Sequence, residues 1–115
     1  MTSIKITGGK GFHLTFDCGV TLSVQIGVGN YCDNYSSLNT HKDLGSSTNA
    51  EIALWIEDEI LPHHWLFRGD IRAYVPAARI FQIIALLTVI PADASMEQIR
   101  GAVSAIETLI DGRAA

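Results

Sequence analysis

Residues 12–26 read FHLTFDCGVTLSVQI, and the fold turns on their alternation. Phe12, Leu14 and Phe16 fall on one side of an extended chain, with His13 and Thr15 on the other. After Asp17-Cys18-Gly19 the alternation resumes, with Val20, Leu22, Val24 and Ile26 on one side and Thr21, Ser23 and Gln25 on the other. Successive side chains of a strand point to opposite faces, so this pattern predicts two strands of a half-buried antiparallel sheet. A three-residue loop whose third position is a left-handed glycine closes such a hairpin. Pairing Phe16 with Val20 sets Leu14 opposite Leu22 and Phe12 opposite Val24, so every apolar side chain lands on one face. A slip of one residue would reverse that arrangement. The opposite face (His13, Thr15, Thr21, Ser23, Gln25) is then expected to meet solvent or line a polar interface, and Cys18 to sit at an exposed hairpin tip.

Working outward, Ile4 and Ile6 share a face of a shorter strand. A five-residue loop over residues 7–11 sets Ile6 against Phe12; a six-residue loop would set it against His13, on the wrong face. Residues 27–49 are rich in Gly, Asn, Ser and Asp, a length and composition that mark a functional or mobile loop. Its beginning around Tyr31 and Cys32 is expected to be ordered, and residues 44–49 mobile. Ile52, Leu54 and Ile56 then face one way, with Ala53 and Trp55 facing the other, which predicts a fourth strand. Glu57-Asp58-Glu59 reads as a charged turn, and Pro62 argues against a central strand over residues 60–64. Residues 65–67 and 71–75 are short strand candidates on either side of the turn Arg68-Gly69-Asp70.

The last third changes period. Pro76 suits a first helical position, and the helix it opens runs to Ile90, apolar nearly all round except for Arg79, Gln82 and Thr88. Pro91 stops it. Ser95 with Gln98 forms a capping box for a second helix, striped with Ile99, Ala102, Val103, Ile106, Leu109 and Ile110 and ended by Gly112. The predicted architecture is α+β: an antiparallel sheet of four to six strands with a C-terminal helical hairpin on one face, in a single domain over residues 1–115.

Composition narrows the function classes. Hydrophobic residues are 48% and charged ones 17%, which excludes disorder. The net charge of −4 excludes a basic nucleic-acid binder. Cys18 and Cys32 make no disulfide framework, and residues 1–11 lack the apolar run of a signal peptide, so a cytosolic protein with free thiols is expected. Residues 80–90 form the most apolar stretch and are far short of the roughly twenty residues that a membrane span needs.

The segment KGFHLTFDCGVTLSVQIGVGNYC over residues 10–32, with the later AEIALWI, the Trp-Leu-Phe strand and the Val-Pro helix start, resembles a family of small accessory proteins of tailed bacteriophages and prophages. Members carry a KGF-x-x-x-F-x-(N/D)-G hairpin, a SVQ strand and a GNYC turn; here Cys18 stands where Asn or Asp is expected. The match covers about the first 80 residues. It implies a protein that works in the host cytoplasm against antiviral defence. Such a protein binds a small anionic or nucleotide-like signal or blocks a host defence protein.

Four groups of residues are candidates for chemistry. His63-His64 beside Trp65 attracts attention, but neighbours on an extended chain point to opposite sides and no metal-ligand spacing is present, so a solvent-facing loop is the plainer reading. Cys32 would need a base, which His13 or His41 would supply from a distance to make a small hydrolase; a buried turn thiol is the alternative. Gly27-Val28-Gly29-Asn30 lacks the third glycine of a dinucleotide loop and the lysine of a P-loop. The better constellation is Arg68, Arg72 and Arg79 with Tyr31, His63, Trp65 and Tyr74, in which guanidinium forks meet an anion and aromatic rings stack on a base. The plainer alternative pairs these arginines with Glu57, Asp58, Glu59 and Asp70. No catalytic set, cofactor or metal is expected, and no membrane or direct nucleic-acid partner. The apolar girth of the first helix points to a homo-oligomer, with Phe81, Ile84, Leu86, Val89 and Ile90 near the contact; a helix enclosed within its own chain is the alternative. A virion or assembly role is the remaining reading.

Overall fold

The computed structural model describes residues 2–8, 10–26, 47–56, 64–67 and 71–112. Among these residues are eight elements in chain order: β1 (Ser3–Ile6), β2 (Gly11–Thr15), β3 (Val20–Gln25), β4 (Asn49–Ile56), β5 (His64–Trp65), β6 (Ile71–Pro76), α1 (Ala77–Thr88) and α2 (Met96–Asp111). The six strands form one antiparallel sheet in the order β1-β2-β3-β4-β5, with β6 also pairing β4. Since β3 occupies one edge of β4, β5 and β6 share the other: β5 opposite Trp55 and Ile56, β6 opposite Asn49 to Ala53. The α+β architecture expected from the sequence is the one observed. No helix among the described residues is long and apolar enough to cross a membrane.

The hairpin register is the one that the alternation dictates. Phe16 donates its N–H to the Val20 carbonyl at 2.9 Å, and Leu14 pairs with Leu22 and Phe12 with Val24. Gly19 closes the loop at φ 93°, where a side chain would be strained. The first turn spans five residues, with Thr7 N–H donating to the Gly11 carbonyl at 3.0 Å and Ile6 opposite Phe12. Gly11 is needed for a different reason: a Cβ there would lie 2.0 Å from the Val24 carbonyl oxygen of the adjoining strand.

Phe16, Val20, Leu22, Ile52 and Leu54 form the sheet side of the core, and Ile80, Ile83, Leu87, Ile99, Val103 and Ile106 form the helix side. The helical residues recur at three and four, which is the stripe that faces a sheet. Pro76 ends β6 rather than opening the helix; its ψ of 144° is extended, and the following Ala77 N–H donates to the Thr48 carbonyl at 3.0 Å. For α2 the capping box forms in full: Ser95 Oγ accepts from Gln98 N–H at 3.1 Å and Gln98 Oε1 accepts from Ser95 N–H at 2.8 Å. Gly112, at φ 68°, ends that helix.

Four expectations need correction or restriction. Thr21 and Ser23 are buried rather than open to solvent; Thr21 Oγ1 shares a hydrogen bond with Thr15 Oγ1, and Ser23 Oγ accepts from Gln25 Nε2. Cys18 is buried as well, since the hairpin loop folds onto the core cluster. Ile4 and Ile6 share the apolar face by register yet stay 73% and 77% exposed, since the helices lie over β3 and β4 and do not reach the edge. Asn49 is the first residue of β4, paired with Pro76, so the mobile stretch expected over residues 44–49 does not include it. Tyr31, Cys32 and Leu44 lie outside the described residues.

The contact at Gly11 yields a test. Gly11→Ala forces β2 away from β3 and lowers the unfolding free energy by about 1–3 kcal/mol, whereas Gly101→Ala, where an added Cβ meets nothing within 4 Å, does not destabilise; urea unfolding of both variants measures the contrast.

Candidate functional site

Of the arginine constellation, the structure describes the side chains of Arg72, Tyr74 and Arg79. Arg72 lies opposite Ile52 and so projects to the helix side of the sheet. There it donates through Nη2 to Glu107 Oε2 of α2, with Asp111 Oδ1 3.8 Å from Nη1 and the Phe67 ring centroid 5.7 Å below the guanidinium carbon. Its buried Nε has no hydrogen-bond partner among the described residues. The guanidinium therefore ties the last helix to the sheet edge. Its partners are Glu107 and Asp111, which the sequence pattern did not suggest as carboxylates for it.

Two further members are described with their side chains. Arg79 is exposed on α1 and donates to Gln82 Oε1 one turn on, at 2.9 Å. Tyr74 stands in the irregularity where β6 shifts register against β4, at φ 54°, and is half exposed. A non-glycine residue there is strained, and the bulge re-aims its ring outward. No hydrogen bond, ion pair or ring contact joins Arg72, Tyr74 and Arg79. Trp65 contributes backbone to β5, opposite Trp55. Tyr31, His63 and Arg68 lie outside the described residues, as do Cys32, His41 and residues 27–30.

What the sheet does assemble is on its other face. Register carries Ser3, Thr15, Thr21 and Trp55 into one cross-strand row. Lys5, His13, Ser23 and Ala53 fill the next. Ser3, Lys5, His13, Thr15, Thr21 and Trp55, with Gly19 at the hairpin end, line a half-open cleft of 330 Å³. Its base is ordered by its own contacts. The His13 and Trp55 rings meet edge to face, 5.0 Å between centroids and 83° between planes. The Thr15 and Thr21 hydroxyls share a hydrogen bond at 3.0 Å. Beside them, Gln25 Nε2 donates to Thr7 Oγ1 at 2.7 Å and to Ser23 Oγ at 3.3 Å.

The lining has a definite chemistry. Lys5 brings a cation on an exposed edge strand, His13 an imidazole, and Ser3, Thr15 and Thr21 hydroxyls that donate or accept. Trp55, only 5% exposed, supplies a rigid indole wall. Among the described lining residues none is a carboxylate and Lys5 is a cation, a charge that suits an anion of modest size. Among the described residues no three His, Cys, Asp or Glu side chains gather as metal ligands. The sequence placed His13, Thr15 and Thr21 on this face, but it did not add Ser3, Lys5 and Trp55. Extending the hairpin register by one strand on each side is the signal that finds them.

A second, smaller hollow of 160 Å³ lies between the sheet and the start of α1, walled mainly by Phe12, Val24, Ile80 and Phe81. Its described lining is mostly apolar, with Ser47 and Asn49 the polar members and none of them charged. Compared with protein-family models, curated proteins and solved structures, the chain matches none. The likeness to phage accessory proteins rests on its motif residues alone.

The role of Arg72 is measurable. A double-mutant cycle between Arg72→Met and Glu107→Gln gives a coupling of about 1 kcal/mol at low salt that shrinks at 1 M NaCl, as a partly exposed charge-assisted bond requires. Zero coupling at low salt contradicts the role assigned to it.

Proposed function

We propose that this is a non-enzymatic binding protein that captures a small anionic ligand in the cleft on the polar face of its sheet. The observation that carries the reading is the convergence of Lys5, His13 and a hydroxyl pair around one 330 Å³ space walled by Trp55. A charged donor and fixed hydroxyls recognise an anion, and a space of this size holds a group such as a phosphate with part of what bears it. In the phage setting that the motif resemblance implies, the anion is a nucleotide-like signal of host defence, held in the host cytoplasm. The site proposed is thus different from the arginine constellation, whose central member is occupied by Glu107.

The working form in this reading is a homo-oligomer. Ile4, Ile6, Phe81 and Val89 are each at least 70% exposed, and covering such side chains is worth about 1.5–3 kcal/mol apiece. Sedimentation velocity at micromolar concentration is expected to show a dimer or larger species, and Phe81→Asp to shift it toward monomer. A wild-type monomer overturns this part of the reading.

Ligand capture has its own test. Titration with nucleoside monophosphates, followed by amide chemical shifts, is expected to move His13, Thr15 and Thr21 and leave α2 unmoved. Lys5→Ala weakens the binding about tenfold, the effect of losing one charge-assisted contact, and Arg79→Ala leaves it unchanged. Shifts confined to the surroundings of Tyr74 and Arg79 overturn the assignment of the site.

A further inference from the structure

The hairpin register also decides which way the backbone of β1 points. Phe16 N–H donates to the Val20 carbonyl, so the even residues of β2 bond toward β3 and the odd ones toward β1. Thr7 N–H donates to the Gly11 carbonyl in the same sense. Ser3 and Lys5, opposite Thr15 and His13, therefore direct their N–H and C=O groups at β2. Ile4 and Ile6 direct theirs outward, and among the described residues nothing bonds to them there. All four residues of β1 are exposed. An open edge of this kind is a template for another strand.

We infer that the strand it takes is β1 of a second copy of this chain, running antiparallel about a twofold axis between the two Ile4 residues. This rests on the homo-oligomer reading above and adds the seam and its register. Residues directly opposite in an antiparallel pair share a face, so the isoleucines stay on the helix side only if even positions meet even ones. Two such registers overlap three of the four residues of β1. One sets Lys5 directly against Lys5 of the second copy, a repulsive pair. The other sets Ile4 on Ile4, Lys5 on Ser3 and Ile6 on Thr2. Charge favours the second. Thr2 Oγ1 donates to Asp17 Oδ1 at 2.9 Å, so a carboxylate stands at the end of β1 to which this register brings the other copy's Lys5.

The apolar surface fits the same seam. Ile4 and Ile6, 73% and 77% exposed in the single chain, meet their counterparts on the helix side of one continuous sheet. Phe12, opposite Ile6, and Phe81, beside it in the smaller hollow, carry that surface on from the seam to α1. Gly8, at φ 56°, turns the chain away just past Ile6 and ends the edge there. So short a seam dissociates on dilution.

Hydrogen exchange of the wild-type protein, followed by NMR from micromolar to millimolar concentration, reads the inference without a variant. The amides of Ile4 and Ile6 are expected to slow as the concentration rises, while those of Ser3 and Lys5, already bonded to β2, hardly change. Ile4→Pro removes an N–H that makes no bond to β2, so circular dichroism is expected to show the fold kept and sedimentation to show association weakened about tenfold or more. With Cys18 and Cys32 replaced by alanine, Ile4→Cys is expected to cross-link two chains on mild oxidation, since the Cα atoms of a bonded pair lie about 5.5 Å apart. Lys5→Cys is not, because its two copies are diagonal neighbours about 7–8 Å apart. A dimer whose Ile4 amide exchanges at one rate at every concentration, or one that Phe81→Asp breaks and Ile4→Pro does not, overturns the seam and leaves the oligomer reading standing. Cross-linking through Lys5→Cys in place of Ile4→Cys overturns the register inferred. A monomer at every concentration overturns both readings.

Discussion

The closure of the β2–β3 hairpin, where Phe16 N–H meets the Val20 carbonyl across a three-residue loop, sets the parity of the whole sheet. Everything on either face follows from it. Even-numbered residues of β2, β3 and β4 go to the helices, and odd-numbered residues of β2 and β4 align with Thr21, Ser23 and Gln25 on the far side. The loop has room for only one answer, because Gly19 adopts a positive φ and Gly11 admits no side chain against Val24. A register slip would send Leu22 and Leu54, both fully buried, to the polar face and Thr21 and Trp55 into the core. Core and cleft are thus two consequences of one local choice of turn.

The helices are fastened by different means at their two ends. Burial of Ile80, Ile83 and Leu87 holds α1, and Ile99, Val103 and Ile106 hold α2. At the sheet's far edge a charge does the same work. Arg72, stacked over Phe67, reaches Glu107 and Asp111 on the last turns of α2. A guanidinium suits this place because its apolar plane lies on an aromatic ring while its rim makes ionic hydrogen bonds. The same residue is therefore drawn out of any ligand site on the opposite face. Phe81 on α1 and Val89 at its C-cap stay wet because α2 covers only part of the first helix.

How much of this was legible in the sequence depends on the range of the signal. Turns and alternation are local, so the pairing of Leu14 with Leu22, the five-residue first turn and the Ser95 capping box could be read directly. The exposure of Ile4 and Ile6 could not, since it depends on how far the helices extend across the sheet. Nor could the partner of Arg72, which is 35 residues away along the chain. Arginine and aromatic residues close in sequence suggested a site. Of its described members, Arg72 is engaged by Glu107, Tyr74 stands in a strand bulge and Arg79 lies on the first helix, with no contact between them. The cleft was half visible. Its polar floor follows from hairpin alternation, but Lys5 and Trp55 join only when β1 and β4 are set in register on either side.

The account stands on that parity, and the contact between His13 and Trp55 reports it most directly. These residues belong to strands separated by β3, and their rings meet only if β2, β3 and β4 keep the register described. Through-space proton contacts in an NMR spectrum of the free protein measure it. The account predicts cross-peaks from the His13 ring protons to the Trp55 indole, and none to the methyl groups of Leu22 or Leu54. Contacts from His13 to those leucine methyls would put the imidazole in the core and contradict both the fold of the hairpin and the cleft built upon it.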